Sequence, residues 1–124
     1  MREKTQIFTV NGQPLPAPDA DVTVVFRDVA AAAPVRDQDG FLHRSVIRRA
    51  LADWTFRYSS LSEGERQALE ALFPRDEDVF VFGHPHPEDL SRTRYTTCYR
   101  EDLTLGLGDV RGQWHDCAFR IREV

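Results

Sequence analysis

The 124-residue chain lacks the features of several protein classes. It has only two cysteines, Cys98 and Cys117, which lie far apart in strand-like patterns, so neither a disulfide framework nor a cysteine-based zinc site is expected. No apolar run approaches the ~18 residues of a membrane helix, and residues 1–4 are polar, so no signal peptide is predicted. We therefore expect a protein made in the cytoplasm with two reduced core cysteines. A disulfide between Cys98 and Cys117 on neighbouring strands is the alternative, because the sequence does not determine the distance between their Cβ atoms.

The chain also lacks an excess of basic residues. Its formal net charge is −4, whereas a protein that grips the phosphate backbone of nucleic acid needs a basic surface. A hydrophobic fraction of 41% and a charged fraction of 29% are typical of a globular protein. No repeat or change of composition divides the sequence, so a single domain over residues 1–124 is predicted, without specific nucleic-acid binding.

Alternating apolar residues and turn residues predict about six strands. They are Gln6 to Val10, Asp21 to Val29, Leu42 to Tyr58, Asp78 to Gly83, Arg92 to Arg100 and Trp114 to Arg122. The β-branched run after Asp21 indicates a substantially buried strand. In the third strand Trp54, Phe56 and Tyr58 alternate with polar residues and are expected to face the core, with a bulge or break near Arg48 and Arg49.

One short helix is predicted at about residues 62–73. Ser62-Glu63-Gly64-Glu65 matches a capping box, and Pro74 cannot continue a helix. The fold class that follows is α+β and mainly β, an antiparallel β-sandwich or barrel-like sheet of about six strands with this one helix.

Two segments are longer than minimal hairpin turns. The proline segment, Gln13 to Pro18, holds Pro14, Pro16 and Pro18 and is expected to be an extended edge or a loop. Glu101 to Gly112 holds Gly106, Gly108 and Gly112 and is expected to be a mobile loop or a long hairpin tip. Long loops in compact domains are often functional, so these six residues are candidate subunit contacts.

Other loops are predicted from turn chemistry alone. His84 to Leu90 is expected to be a rigid surface loop, Arg36 to Gly40 a turn, and Ala30 to Pro34 an alanine-rich connector.

No catalytic, cofactor or metal site is predicted, and an enzyme is not expected. His84 and His86 supply two imidazoles, but a zinc site needs three or four ligands. Asp37 to Gly40 resembles the start of a calcium loop, yet Arg48 stands where a bidentate Glu is required. The glycines at 106–112 lack the Lys-Ser/Thr of a phosphate loop. Pairs of Cys98 or Cys117 with His43 or His115 would need an exposed, electropositive cysteine, whereas strand cysteines are usually inert.

The order of features over Ile7 to Glu123 resembles small tail proteins of long-tailed bacteriophages and prophages, related to tail-tube and distal-tail proteins. The residues that carry the resemblance are Val10-Asn-Gly12 and the prolines after it, Arg36, Asp39-Gly40, His43-Arg44, Trp54, Leu61-Ser62 with Glu65, and a Trp114 strand that ends Phe119-Arg-Ile-Arg-Glu123. Gly64 at the helix start, Cys98 in a strand and the His-Pro-His segment depart from the pattern.

The resemblance implies a structural component of a tail tube or of the distal-tail and baseplate region. Such a protein assembles into rings by joining sheets between subunits, and its partners are copies of itself and the tube, tape-measure and hub proteins. The expected location is the host cytoplasm during assembly and then the virion or tail particle. A tail-completion or head–tail connector protein is the alternative within phage biology, and a small-ligand-binding β module is the alternative outside it.

Overall fold

A computed structural model describes residues 3–30, 35–36, 42–43, 46–109 and 111–124. Its strands are β1 (Lys4–Val10), β2 (Gln13–Pro16), β3 (Thr23–Ala30), β4 (Val35–Arg36), β5 (Leu42–His43), β6 (Val46–Ser62), β7 (Phe80–His86), β8 (Asp89–Arg100), β9 (Thr104–Leu107) and β10 (Gln113–Glu123), and its helix is α1 (Glu63–Ala71). The predicted connector at 31–34 and the turn residues 37–40 lie outside the described residues.

Eight of these strands form one antiparallel sheet. Their order is β2-β1-β7-β8-β10-β6-β3, with β9 beside β10, while β4 and β5 pair separately. The sheet curls until its two halves face each other, and the ring of Phe8 on β1 lies 5.6 and 5.1 Å from the rings of Trp54 and Phe56 on β6. The mainly β, sandwich-like fold class is confirmed, and the predicted count of about six strands is close.

The long strand β6 supplies one wall of the core. Trp54, Phe56 and Tyr58 are buried, as their alternation predicts. On β10, Ile121, Phe119 and Cys117 lie directly opposite these three residues and share the same face. The predicted irregularity is also present, because the β3–β6 register shifts near Arg48.

Helix α1 begins at the predicted cap. The Ser62 hydroxyl accepts from the Glu65 amide at 3.2 Å, and the Glu65 carboxylate accepts from the Ser62 amide at 2.9 Å. The α-helix ends at Ala71, slightly before the predicted end at residue 73, because Leu72 already caps it. Leu69 and Phe73 bury the apolar side of this segment against the sheet.

Two local predictions are wrong. Strand β3 is not substantially buried: it stands at the end of the sheet, with Val25 56% and Phe26 49% exposed. His84 to Leu90 is not a surface loop, because β7 continues to His86 and β8 begins at Asp89. Pro85 fits in the strand because it lies beyond the residues that pair with β1, so its missing N–H interrupts no described bond there. Within Glu101 to Gly112, the hairpin alternative of the prediction is confirmed, because β9 pairs with β10.

The two cysteines are buried free thiols. Cys117 lies opposite Tyr58, whereas Cys98 lies opposite Glu123, near the far end of β10. At about 3.4 Å per residue this places them on the order of 20 Å apart along the strand, well beyond the roughly 7 Å that a disulfide can bridge between Cα atoms. The bridge considered as an alternative is therefore excluded by the fold.

Among the residues that the structure describes, no helix is both long and apolar enough to cross a membrane.

Candidate assembly surfaces

The proline segment forms a shielded edge of the sheet. Asn11 and Gly12 make the turn between β1 and β2 with positive φ, and Val10 and Gln13 close it. Backbone N–H groups alternate in direction along a strand. The N–H of Gln13 points toward β1, so an N–H at the following residue, Pro14, would point away from β1. Pro16 also lacks an N–H, and its carbonyl accepts from the Tyr58 hydroxyl at 2.8 Å. This edge therefore offers few donors to an added strand, and it is tied to the body of the domain.

The glycine segment forms the other candidate contact. Gly106 lies in β9 opposite His115, and a Cβ there would come within 2.7 Å of the His115 carbonyl oxygen, so only glycine permits this approach. Gly108 follows β9 beside the His115 ring, and Gly112 has a φ of +80° in the turn before β10. The Gly112 carbonyl also accepts from the Glu63 amide at 2.9 Å, which joins this turn to the start of α1.

The β3 edge, the side of β3 that faces away from β6, is a surface that sequence reasoning missed. Among the described strands β3 pairs with β6 alone, and β9 likewise pairs with β10 alone. The β3 edge carries the half-exposed side chains of Val25 and Phe26, and no proline interrupts it. The apolar, β-branched residues of β3 predict a strand but not its position in the sheet, because a buried strand and an edge strand can have the same residue types.

An ionic network holds β3 in place. The Arg27 Nε lies 3.0 and 3.2 Å from the two carboxylate oxygens of Asp53, which is only 7% exposed, and the Arg27 guanidinium also donates to the Glu123 carbonyl. Arg122 lies 3.3 Å from Asp53 and donates to Glu101 at 2.9 Å. The Glu101 contact raises the pKa of Arg122 above its usual range. These contacts of Arg27 therefore anchor β3 to β6 and to the end of β10.

The two histidines of the His-Pro-His segment have different surroundings. His84 is 2% exposed, and its Nδ1 donates to the Pro85 carbonyl at 2.9 Å. Because that carbonyl can only accept, Nε2 of the neutral ring is an acceptor, and the Thr96 hydroxyl donates to it at 3.1 Å. Burial lowers the pKa of His84. His86 instead accepts from the Glu88 amide at 3.1 Å.

Cys98 completes the buried chain of hydrogen bonds. Its thiol lies 3.3 Å from the Thr96 hydroxyl, and burial raises its pKa to about 11. A thiol in this state is protonated at neutral pH and is a poor nucleophile. Within the described part of the chain, no group of three or more His, Cys, Asp or Glu side chains could hold a metal ion. That the protein binds no metal stays a prediction.

The space between the two halves of the sheet is filled by aromatic rings. Phe56 stacks on Phe119 at 5.2 Å, and Phe73 meets Phe80 edge-on at 5.2 Å. A surface depression of about 330 Å³ is lined by Asp19, Arg57 and Asp116 among others, where Asp116 has a φ of 51° and the β9–β10 register shifts. The two halves of the sheet therefore pack closely through their aromatic side chains.

Comparisons with known protein families, with curated proteins and with solved structures find no match to this chain.

Proposed function

We propose that this chain is a structural component of a bacteriophage or phage-like tail, in the tube or the distal-tail and baseplate region, where it acts through contacts between subunits in a ring. The observation that carries the proposal is the β3 edge, which no strand among the described residues covers. Exposed strand edges join other chains unless they are shielded, and natural proteins blunt edges that should stay unpaired. Here β2 carries prolines, whereas β3 presents Val25 and Phe26.

A ring requires two different surfaces on each subunit. Head-to-tail contacts close into a ring only when one surface of a subunit fits another surface of the next. The β3 edge would be the first surface, and the β9 edge with the glycine segment would be the second. The proline segment, which Pro16 ties to Tyr58, is a further candidate contact in this arrangement.

The charge of the chain agrees with a role around a channel. A ring of subunits that each carry a net charge of −4 would repel the phosphates of DNA, so that DNA could pass without binding. The partners in this proposal are copies of the chain and the tube, tape-measure and hub proteins. Location in the assembled particle is part of the same proposal.

The test is co-expression with the products of the neighbouring genes, followed by imaging of the particles and limited proteolysis. The proposal predicts density for the chain in assembled tails, and protection of the proline and glycine segments relative to the isolated protein. If no density appears and both segments are cleaved equally in the two states, the proposal fails. Density at the junction of head and tail would instead support the connector alternative.

A further inference from the structure

Leu107 is an exposed leucine at the end of β9. Its side chain is 71% exposed, although Leu105, on the same side of the strand, packs against the core. Trp114, which pairs with Leu107 across the β9–β10 ladder, also packs against the core. Leu107 therefore extends the apolar inner face of the sheet past the edge of the sandwich.

An open groove lies at another edge of the molecule, between β1 and the segment that leads into β3. We call it the edge groove, and its volume is about 480 Å³. It is lined by the apolar residues Ile7, Phe8, Pro18, Ala20 and Val22, together with Thr5 and Asp21. Ile7 is 52% exposed, whereas Phe8 is buried and Val22 packs against the core. The edge groove is thus an apolar opening at the margin of the same core.

Leu107 and the edge groove lie on opposite edges of one half of the sheet. In that half β9 pairs with β10, β10 with β6, and β6 with β3. Residues 18–22, which form one wall of the groove, lie on the β3 side of β6, where the Asp19 amide donates to the Arg57 carbonyl at 3.2 Å. Three strand spacings of about 4.8 Å separate this wall from β9, roughly 14 Å in all.

The two features also lie at nearly the same level along β6. Through its partner Trp114, Leu107 is level with Leu61. The groove wall is level with Ser59, because the Ser59 amide donates to the Asp19 carboxylate at 2.8 Å. Rotation about an axis parallel to the strands does not change this level. A rotated copy therefore brings its Leu107 to the edge groove of its neighbour.

We infer that Leu107 of one copy docks in the edge groove of the next copy, an inference that rests on the proposed head-to-tail ring. Such a ring needs two different surfaces that fit each other, and an apolar side chain that fills a pocket elsewhere on the same molecule makes a contact of this kind. A single exposed leucine is ordinary on a protein surface. Leu107 differs because the same chain carries an apolar groove on the opposite edge at nearly the same level. Val22 immediately precedes β3, so this contact is continuous with the β3 edge.

The first measurement is the amount of the chain in particles produced by co-expression with the neighbouring genes. Leu107→Asp should lower that amount at least about tenfold, because a carboxylate would lose its water on entering the groove. Leu90→Asp is the matched control, since Leu90 is 78% exposed on β8, outside both surfaces. The control should stay within about twofold of the unchanged chain. Unfolding curves of both variants show whether they are folded.

Cross-linking tests the contact itself. Ile7→Cys chains and Leu107→Cys chains are assembled together in one particle and treated with a short bismaleimide reagent. The natural thiols, Cys98 and Cys117, are buried and should not react. Each variant adds one accessible thiol, so a product that joins the two variants forms only between copies. We expect this product, and none when Ile7→Cys is mixed with Leu90→Cys.

The outcomes separate this contact from the proposed function. Ring density, selective loss of Leu107→Asp, and product only in the mixture of Ile7→Cys with Leu107→Cys would support both. Ring density with equal product in the two mixtures, or with no product in either, would overturn the inference and leave the proposed function standing. Equal incorporation of Leu107→Asp and Leu90→Asp into rings would do the same. Particles without ring density would overturn both.

Discussion

The Arg27 guanidinium and the Asp53 carboxylate join β3 to β6 through two contacts of 3.0 and 3.2 Å, with Asp53 almost entirely removed from solvent. Removing one partner of a buried pair leaves a charge without compensation, which costs about 3–5 kcal/mol in deep interiors. Arg122 still contacts Asp53, and the Arg27 side chain is 24% exposed, so a smaller cost is expected.

Arg27→Met should therefore lower the free energy of unfolding by about 1–3 kcal/mol. Chemical denaturation measures this change. Arg57→Met, at an exposed position of the neighbouring strand, is the control and should change stability by less than about 0.5 kcal/mol. Equal effects of the two substitutions would show that the Asp53 contact does not hold β3.

The buried His84 predicts a dependence of stability on pH. Its pKa lies below the ordinary value of 6.5 because of burial, so the unfolded chain takes up a proton that the folded chain refuses. The contribution of the neutral His84 to the free energy of unfolding is therefore complete above about pH 6.5. It decreases as the pH falls below that value toward the lower pKa of the folded state. His84→Gln should flatten this part of the profile. Identical slopes for the unchanged chain and for His84→Gln between pH 7 and about pH 5 would contradict the assignment.

Ser62→Ala should cost about 1 kcal/mol, because it removes the side-chain acceptor for the Glu65 amide at the start of α1. Gly64→Ala, in the first turn of the same helix, should have the opposite sign. A Cβ at Gly64 meets open space, and alanine favours helix by up to about 1 kcal/mol over glycine. Thermal or chemical unfolding gives both values. If Ser62→Ala were neutral, the cap would not contribute to the stability of the domain.

Trp54→Ala should lower the free energy of unfolding by about 3–5 kcal/mol, since it opens a cavity in the core. The Trp54 ring lies 5.6 Å from Phe8 and 4.8 Å from His84, so its loss loosens the contact between the two halves of the sheet. Denaturant titration gives the cost. An unchanged midpoint would mean that this ring contributes nothing to the packing between the halves.

The sequence predicts what depends on short-range chemistry. Trp54, Phe56 and Tyr58 show their inward direction by alternation, and Ser62 with Glu65 shows the helix start by spacing. Both features are formed by neighbours within a few residues, so they hold whatever the topology of the sheet.

The features that were missed depend on long-range pairing. Val25 and Phe26 would be buried if another strand lay beyond β3. The residues near them in the sequence do not show whether such a strand is present. Gly106 lies within the β9 strand of the hairpin, and only the pairing with β10 shows that the His115 carbonyl leaves no room there for a side chain. Pro85 predicts a loop by its missing N–H, but the described pairing with β1 ends before it.

The sequence predicts two of the three candidate contact surfaces, the proline segment and the glycine segment. The length of their segments makes six residues candidate subunit contacts: Pro14, Pro16, Pro18, Gly106, Gly108 and Gly112. In the structure both segments are hydrogen-bonded to the rest of the domain. The β3 edge became a candidate only once the strand order was known. Their roles as subunit contacts stay predictions.

Electron microscopy of particles produced with the neighbouring genes can show whether the chain assembles through its β3 edge into a ring within a tail. Lysine on an edge strand opposes pairing with another chain, so Val25→Lys should give a folded subunit that is missing from the particles. Val79→Lys, an exposed valine before β7, is the matched control and should assemble normally. We expect ring density for the unchanged chain and for Val79→Lys, and its loss for Val25→Lys. Equal ring density for all three proteins, or no density for any, would contradict it.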